Sequence, residues 1–146
     1  MDLFYRIIIF IHVSSVIISL GPFFILLPIV KKMGHAVDKE LAFYIETFRF
    51  VVRLTKHAGH VLVGSGVLLV VLSPWTWDTP WILMTIIILF ASLFFLARAF
   101  SPTLKRFNEE GANHQELATQ LKNSVWIYII LLMTMLWFMV VKPYLW

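Results

Sequence analysis

Three histidines lie in or at the edge of long apolar runs: His12 inside the first, His57 and His60 opening the second. An ionisable side chain is costly at bilayer depth, so an imidazole there is read first as a functional group. Imidazoles ligate haem iron and transition metals, which makes a haem or metal site the leading expectation. His57 and His60 are three residues apart and share a helix face, and Gly64 follows His60 by one turn, leaving room for a flat macrocycle. His12, Ser15 and Ser19 make a similar small, polar stripe in the first run. Two helices facing each other across such grooves are how a bundle builds a cofactor site.

The elements that must carry these side chains are set by composition. The chain has 146 residues, 60% apolar and 14% charged, with a mean hydropathy of +0.87, far too greasy for a soluble domain of this size. A membrane-crossing helix needs about 20 mostly apolar residues. Four stretches qualify: Ile7 to Val30, Ala58 to Ser73 with a polar lead-in, Trp81 to Phe100, and Val125 to Val141. The expected fold is therefore an all-α, four-helix transmembrane bundle forming one domain over residues 1–146. The first run, with its Pro22 and Pro28, is too long for a secretory signal and is read as a retained helix. No cysteine is present, which excludes disulfides, thiolate metal sites, iron–sulfur clusters and covalently attached haem. Any haem would be b-type.

Ten basic residues (Lys31, Lys32, Lys39, Arg49, Arg53, Lys56, Arg98, Lys105, Arg106 and Lys122) fall on the side reached by the end of the first span. Only Arg6 and Lys142 fall on the other. This asymmetry places both termini outside a bacterial cytoplasmic membrane. The net charge of +4 lies wholly inside, 10 basic minus 6 acidic against 2 minus 2 outside, so the basic pI does not call for nucleic acid. Met33-Gly34-His35 ends the first helix. From Asp38 to Lys56, Leu41, Ile45, Phe48, Val52 and Thr55 recur at helical spacing, predicting one long helix continuous with the second span, with Asp38 as N-cap and Glu40 in its first turn. Ser73 to Pro80 is a hairpin, and Trp75, Trp77 and Trp81 form an interfacial aromatic belt. Ser101-Pro102 breaks the third helix, Glu109 to Asn113 is a turn, and His114 to Lys122 leads into the fourth.

Depth arithmetic tests the histidine pairing. At about 1.5 Å per residue, His12 is about 9 Å past Arg6, whereas His60 and His57 lie about 22 Å and about 27 Å from Trp75. The offset of about 13 Å for the nearer pair allows bis-histidine ligation only with a strongly tilted haem plane. Packing roles stand beside the ligand roles: His12 as a hydrogen-bonded link between helices, His57 as an interfacial residue, and Gly59, Ser65 and Gly66 as points of close helix approach. Met133, Met135 and Met139 suit copper as soft ligands, but Met133 and Met135 point apart on a helix. Arg49, Arg53, Lys56 and Arg98 sit where porphyrin carboxylates would need cations; for Arg98 the plainer role is snorkelling. His35 and His114 read as solvated.

The run Phe10-Ile11-His12-Val13, the helix entered through Arg49 to Gly66, the stretch Arg98 to Arg106 and the closing Met139-Val140-Val141-Lys142-Pro143 resemble a group of small four- or five-span proteins. It contains the DUF2269 family, the HemJ-type protoporphyrinogen oxidases and the copper-resistance D domain, and the resemblance covers nearly the whole chain through short, hydrophobic motifs. The oxidase likeness implies b-type haem on a first-helix histidine, here His12; the mid-chain lysine of those enzymes has no counterpart, because no Lys lies between Lys56 and Lys105. The copper likeness implies His12 and the second-helix histidines as metal ligands.

These readings lead to a haem b-binding, redox-active membrane protein. It passes electrons or oxidises a small hydrophobic molecule such as a quinol or porphyrinogen. His12 and His60 are the preferred axial ligands, His57 the substitute, and Arg53 and Arg98 partners for the propionates. The alternatives are a copper-binding transport or tolerance protein and a structural or assembly subunit of a membrane complex. Expected partners are the lipid bilayer and either a second copy of the chain or a larger membrane complex.

Overall fold

The structure, a computed structural model, describes residues 3–109 and 111–142. They form α1 (Leu3–Met33), α2 (Asp38–Leu72), α3 (Pro80–Ala99), the short α4 (Ser101–Arg106) and α5 (His114–Val141), with no strand among them. α1, α2, α5 and the α3–α4 stretch Pro80–Arg106 are each long and apolar enough to cross a membrane. The chain is thus an all-α, multi-pass four-helix bundle. α1 runs unbroken through Pro22 and Pro28, a kind of interruption that neighbouring helices make tolerable inside a bilayer.

The segment from Asp38 to Lys56 is helical and continuous with the second span, as its spacing predicts. With 35 residues, α2 is about 52 Å long, well beyond the roughly 30 Å hydrocarbon layer. Its start differs from expectation. Val37, not Asp38, is the N-cap, with no side-chain cap bond, and Asp38 itself has φ +54°, so its carboxylate does not serve as the cap. Asn113 does cap α5, accepting the Glu116 backbone N–H at 3.2 Å. Ahead of it Gly111 takes φ +74°, a left-handed conformation that costs glycine little. Lys142 closes α5 with φ +53° and its N–H on the Phe138 carbonyl at 3.0 Å. Residues 143–146, which end the resembling motif at Pro143 and complete the expected terminus, lie outside the described residues.

α1 packs closely on α2 and on α5, and α5 on α3, while α2 and α3 meet at few points. One of these is Gly59, where an added Cβ would touch Leu93 at 3.4 Å. The helices are knotted around Phe100, fully buried at the bend between α3 and α4. Its ring lies 5.6 Å from Phe23 of α1, 5.6 Å from Phe48 of α2, 5.9 Å from Phe95 of α3 and 6.1 Å from Tyr128 of α5. These separations are those of favourable tilted and edge-on aromatic pairs. The core continues from this knot toward the end rich in Lys and Arg, through Met33, Leu104 and Leu121. At the opposite end, where α1 begins and α5 ends, the bundle is less filled.

Candidate functional site

In that less filled end, lined along α1 from Tyr5 to Phe24, lies a cavity of about 780 Å³. Its size is typical of a small-molecule or cofactor site. α1, α2, α3 and α5 all contribute, and most of the wall is aliphatic or aromatic. Some wall residues, Val13, Val67 and Phe90 among them, are exposed on the bundle surface, so the cavity opens sideways.

His12 is half-buried on its wall. Its Nδ1 is 2.9 Å from Ser65 Oγ of α2, and its Nε2 is 3.5 Å from Met139 Sδ of α5. Close approach of the imidazole to α2 depends on Gly66, whose missing Cβ would stand 3.3 Å from Cε1. Ser65 has a single proton, and the carbonyls of Val61 at 2.8 Å and Leu62 at 3.2 Å compete for it. When it goes to a carbonyl, Nδ1–H donates to Oγ and the Nε2 lone pair faces Met139. When it goes to Nδ1, Nε2–H donates to the sulfur. Only the first tautomer leaves Nε2 able to bind a metal, and a histidine whose other nitrogen donates to a fixed acceptor is the usual metal-ligand arrangement.

The end of the cavity beside Ser73 and Lys142 is polar and aromatic. Trp75 and Trp81 meet edge to face at 5.4 Å, and the Lys142 ammonium lies 5.7 Å and 5.3 Å from their ring centres, within cation–π range. Trp81 Nε1 is buried without an acceptor among the described residues, a donor that a ligand oxygen would satisfy.

The structure separates the histidines that the sequence grouped. His57 and His60 are exposed on α2 and do not line the cavity. His60 lies five residues before Ser65, about 140° around the helix, so the Ser65 face that meets His12 turns His60 away. Gly64 shares His60's outer face, with nothing within 4 Å of an added Cβ. Ser15 donates to the Ile11 and His12 carbonyls at 2.7 and 3.0 Å, and Ser19 Oγ is buried with no partner among the described residues. Arg53 and Arg98 are exposed and away from the cavity, the Arg98 guanidinium stacked 5.2 Å over Phe94. His114, expected in solvent, is half-buried, its Nε2 3.2 Å from the Phe107 carbonyl and its ring beside Phe107. His35 is exposed, as expected.

Met135 and Met139, one turn apart on α5, both line the cavity, whereas Met133 lies on a separate shallow groove with Trp126 and Trp137. Sequence spacing alone does not group Met139, Ser65 and Lys142 with His12. The available signal is the one-turn spacing of Met135 and Met139 in a span that must pack beside the first. Among the described residues no group of three His, Cys, Asp or Glu side chains is placed to hold a metal ion. No family model, curated protein or solved structure matches the chain.

Proposed function

We propose that this membrane protein binds b-type haem in the cavity beside His12 and works as a redox protein. It exchanges electrons with, or oxidises, a small hydrophobic molecule such as a quinol or porphyrinogen. The observation that carries this reading is His12 itself, one nitrogen held by Ser65 and the other presented at the wall of an apolar cavity of about 780 Å³. The aliphatic wall suits a macrocycle, and the open space beside Gly21 leaves α1 flat where a ring would lie. Lys142 and the Trp81 N–H, rather than Arg53 and Arg98, are the groups available for propionates. Bound there, haem would supply one-electron chemistry; the protein would supply the His12 imidazole, its orientation through Ser65, and a largely apolar wall.

Copper is the second reading, favoured by the 3.5 Å between an imidazole nitrogen and a thioether sulfur. In either case the protein sits in a bacterial cytoplasmic membrane with both termini outside, on the charge asymmetry of ten basic residues against two. Purification in mild detergent from cells with ample haem supply tests the reading. A Soret band that His12→Ala removes supports it; a colourless protein that takes up copper favours the second; a protein that binds neither leaves an assembly subunit whose histidine only packs.

A further inference from the structure

Bis-histidine ligation across the bundle requires His60 on the wall that His12 occupies, and His60 lies on the outside of α2. The atom that does face His12 Nε2 is Met139 Sδ. We infer that His12 and Met139 are an imidazole–thioether ligand pair for a soft metal centre, either haem iron or copper(I). This rests on the reading of His12 as a metal ligand and adds the identity of its partner.

Three observations converge on the pair. The two donor atoms come from helices that pack on each other, α1 and α5, so both are held by the bundle. Ser65 fixes the far side of the imidazole, and its bonds to the α2 carbonyls at 2.8 and 3.2 Å let Nδ1 carry the ring proton. Met135, a second thioether one turn below, lines the same cavity and offers a third donor on the same side. The set is neutral. An imidazole with thioethers suits a soft, low-charge centre, and among the described residues no carboxylate lines the cavity to offset a hard divalent ion at that depth.

The distance also says how the two metals would differ. Metal bonds of about 2.0 Å to imidazole and about 2.3 Å to sulfur put the donors about 4.3 Å apart when they are opposite each other and about 3.5 Å apart at a tetrahedral angle. The observed 3.5 Å is the side-by-side spacing of copper(I) ligands. Haem iron, held between the two donors, would need them about 0.8 Å further apart and would also need α1 and α5, which pack on each other, to part enough to admit the ring, so the spacing favours copper(I).

The test loads the full chain, in mild detergent, with copper(I) and in separate samples with haem. Wild type is compared with Met139→Leu, His12→Ala and His60→Ala, and circular dichroism and thermal unfolding confirm that each variant is folded. X-ray absorption should find sulfur bound to the metal in wild type, none in haem-loaded Met139→Leu, and one sulfur fewer than wild type in copper-loaded Met139→Leu, where Met135 remains. In the copper arm Met139→Leu should weaken binding at least about tenfold, since loss even of an outer-shell partner costs 10- to 100-fold. In the haem arm it should lower the reduction potential and remove the ferric iron–thioether absorption, because thioether ligation raises the potential. His60→Ala should match wild type in both arms. Metal bound without sulfur, an unaltered Met139→Leu, or loss of binding in His60→Ala overturns the pair while leaving a haem or copper protein in place. Failure of wild type to bind either overturns the pair together with the proposed function.

Discussion

Gly66 and His12 touch through an atom that glycine does not have. A Cβ at position 66 would stand 3.3 Å from His12 Cε1, so the imidazole rests directly on the backbone of α2. Gly66→Ala should fold normally, its helix-propensity gain of about 0.5–1 kcal/mol set against the crowding, while shifting the ring and weakening haem or copper binding. Gly66→Leu should abolish binding in the same titrations. A Gly66→Leu variant that binds like wild type would show that His12 does not hold the ligand.

Ser65→Ala removes the partner of Nδ1 without touching the metal-facing nitrogen. Interhelical hydrogen bonds in membranes contribute about 0.6 kcal/mol on average, so unfolding in detergent should change little. Ligand affinity should fall by about 10- to 100-fold, the usual effect of losing the group that orients a metal-bound histidine. Equal affinities for wild type and Ser65→Ala would separate Ser65 from the site.

Phe100→Ala tests the aromatic knot. Four rings from four helices lean on this side chain, and its removal should cost about 3–5 kcal/mol in a reversible unfolding assay. Phe94→Ala, at a residue 65% exposed, should be near neutral. Similar losses for both would place the stability of the bundle elsewhere.

Orientation follows from the charge asymmetry. Tags before Asp2 and after Trp146 should be labelled by a membrane-impermeant reagent in intact cells, and a tag inserted at Asn113 only after permeabilisation. Labelling of the Asn113 tag in intact cells reverses the arrangement.

The number and extent of the helices were legible because a membrane span announces itself by length and apolarity alone. The long α2 was legible for a second reason. Its first half bears charges, so the buried Leu41, Ile45, Phe48 and Thr55 stand out against a polar remainder. Within the spans that contrast disappears, because lipid-facing and neighbour-facing residues are equally apolar and the rotation of a helix leaves no periodic trace. His12 and His60 therefore look equivalent in the sequence, although one meets Ser65 and the other faces outward. The Met139 contact, 127 residues from His12, depends on that same rotation in two helices at once. The N-cap of α2 failed on local grounds: Asp38 is a favoured capping residue, but the chain turns one residue earlier, at Val37.

The poor fit between α2 and α3 changes what concentration means for this site. A molecule that enters through the side of the bundle comes from the hydrocarbon phase, where a greasy compound is already enriched over water and diffuses in two dimensions. Occupancy then follows the mole fraction of that compound among the lipids rather than its level in the aqueous phase. Diluting such a complex with empty vesicles should strip the ligand from the protein, whereas diluting it with buffer should not.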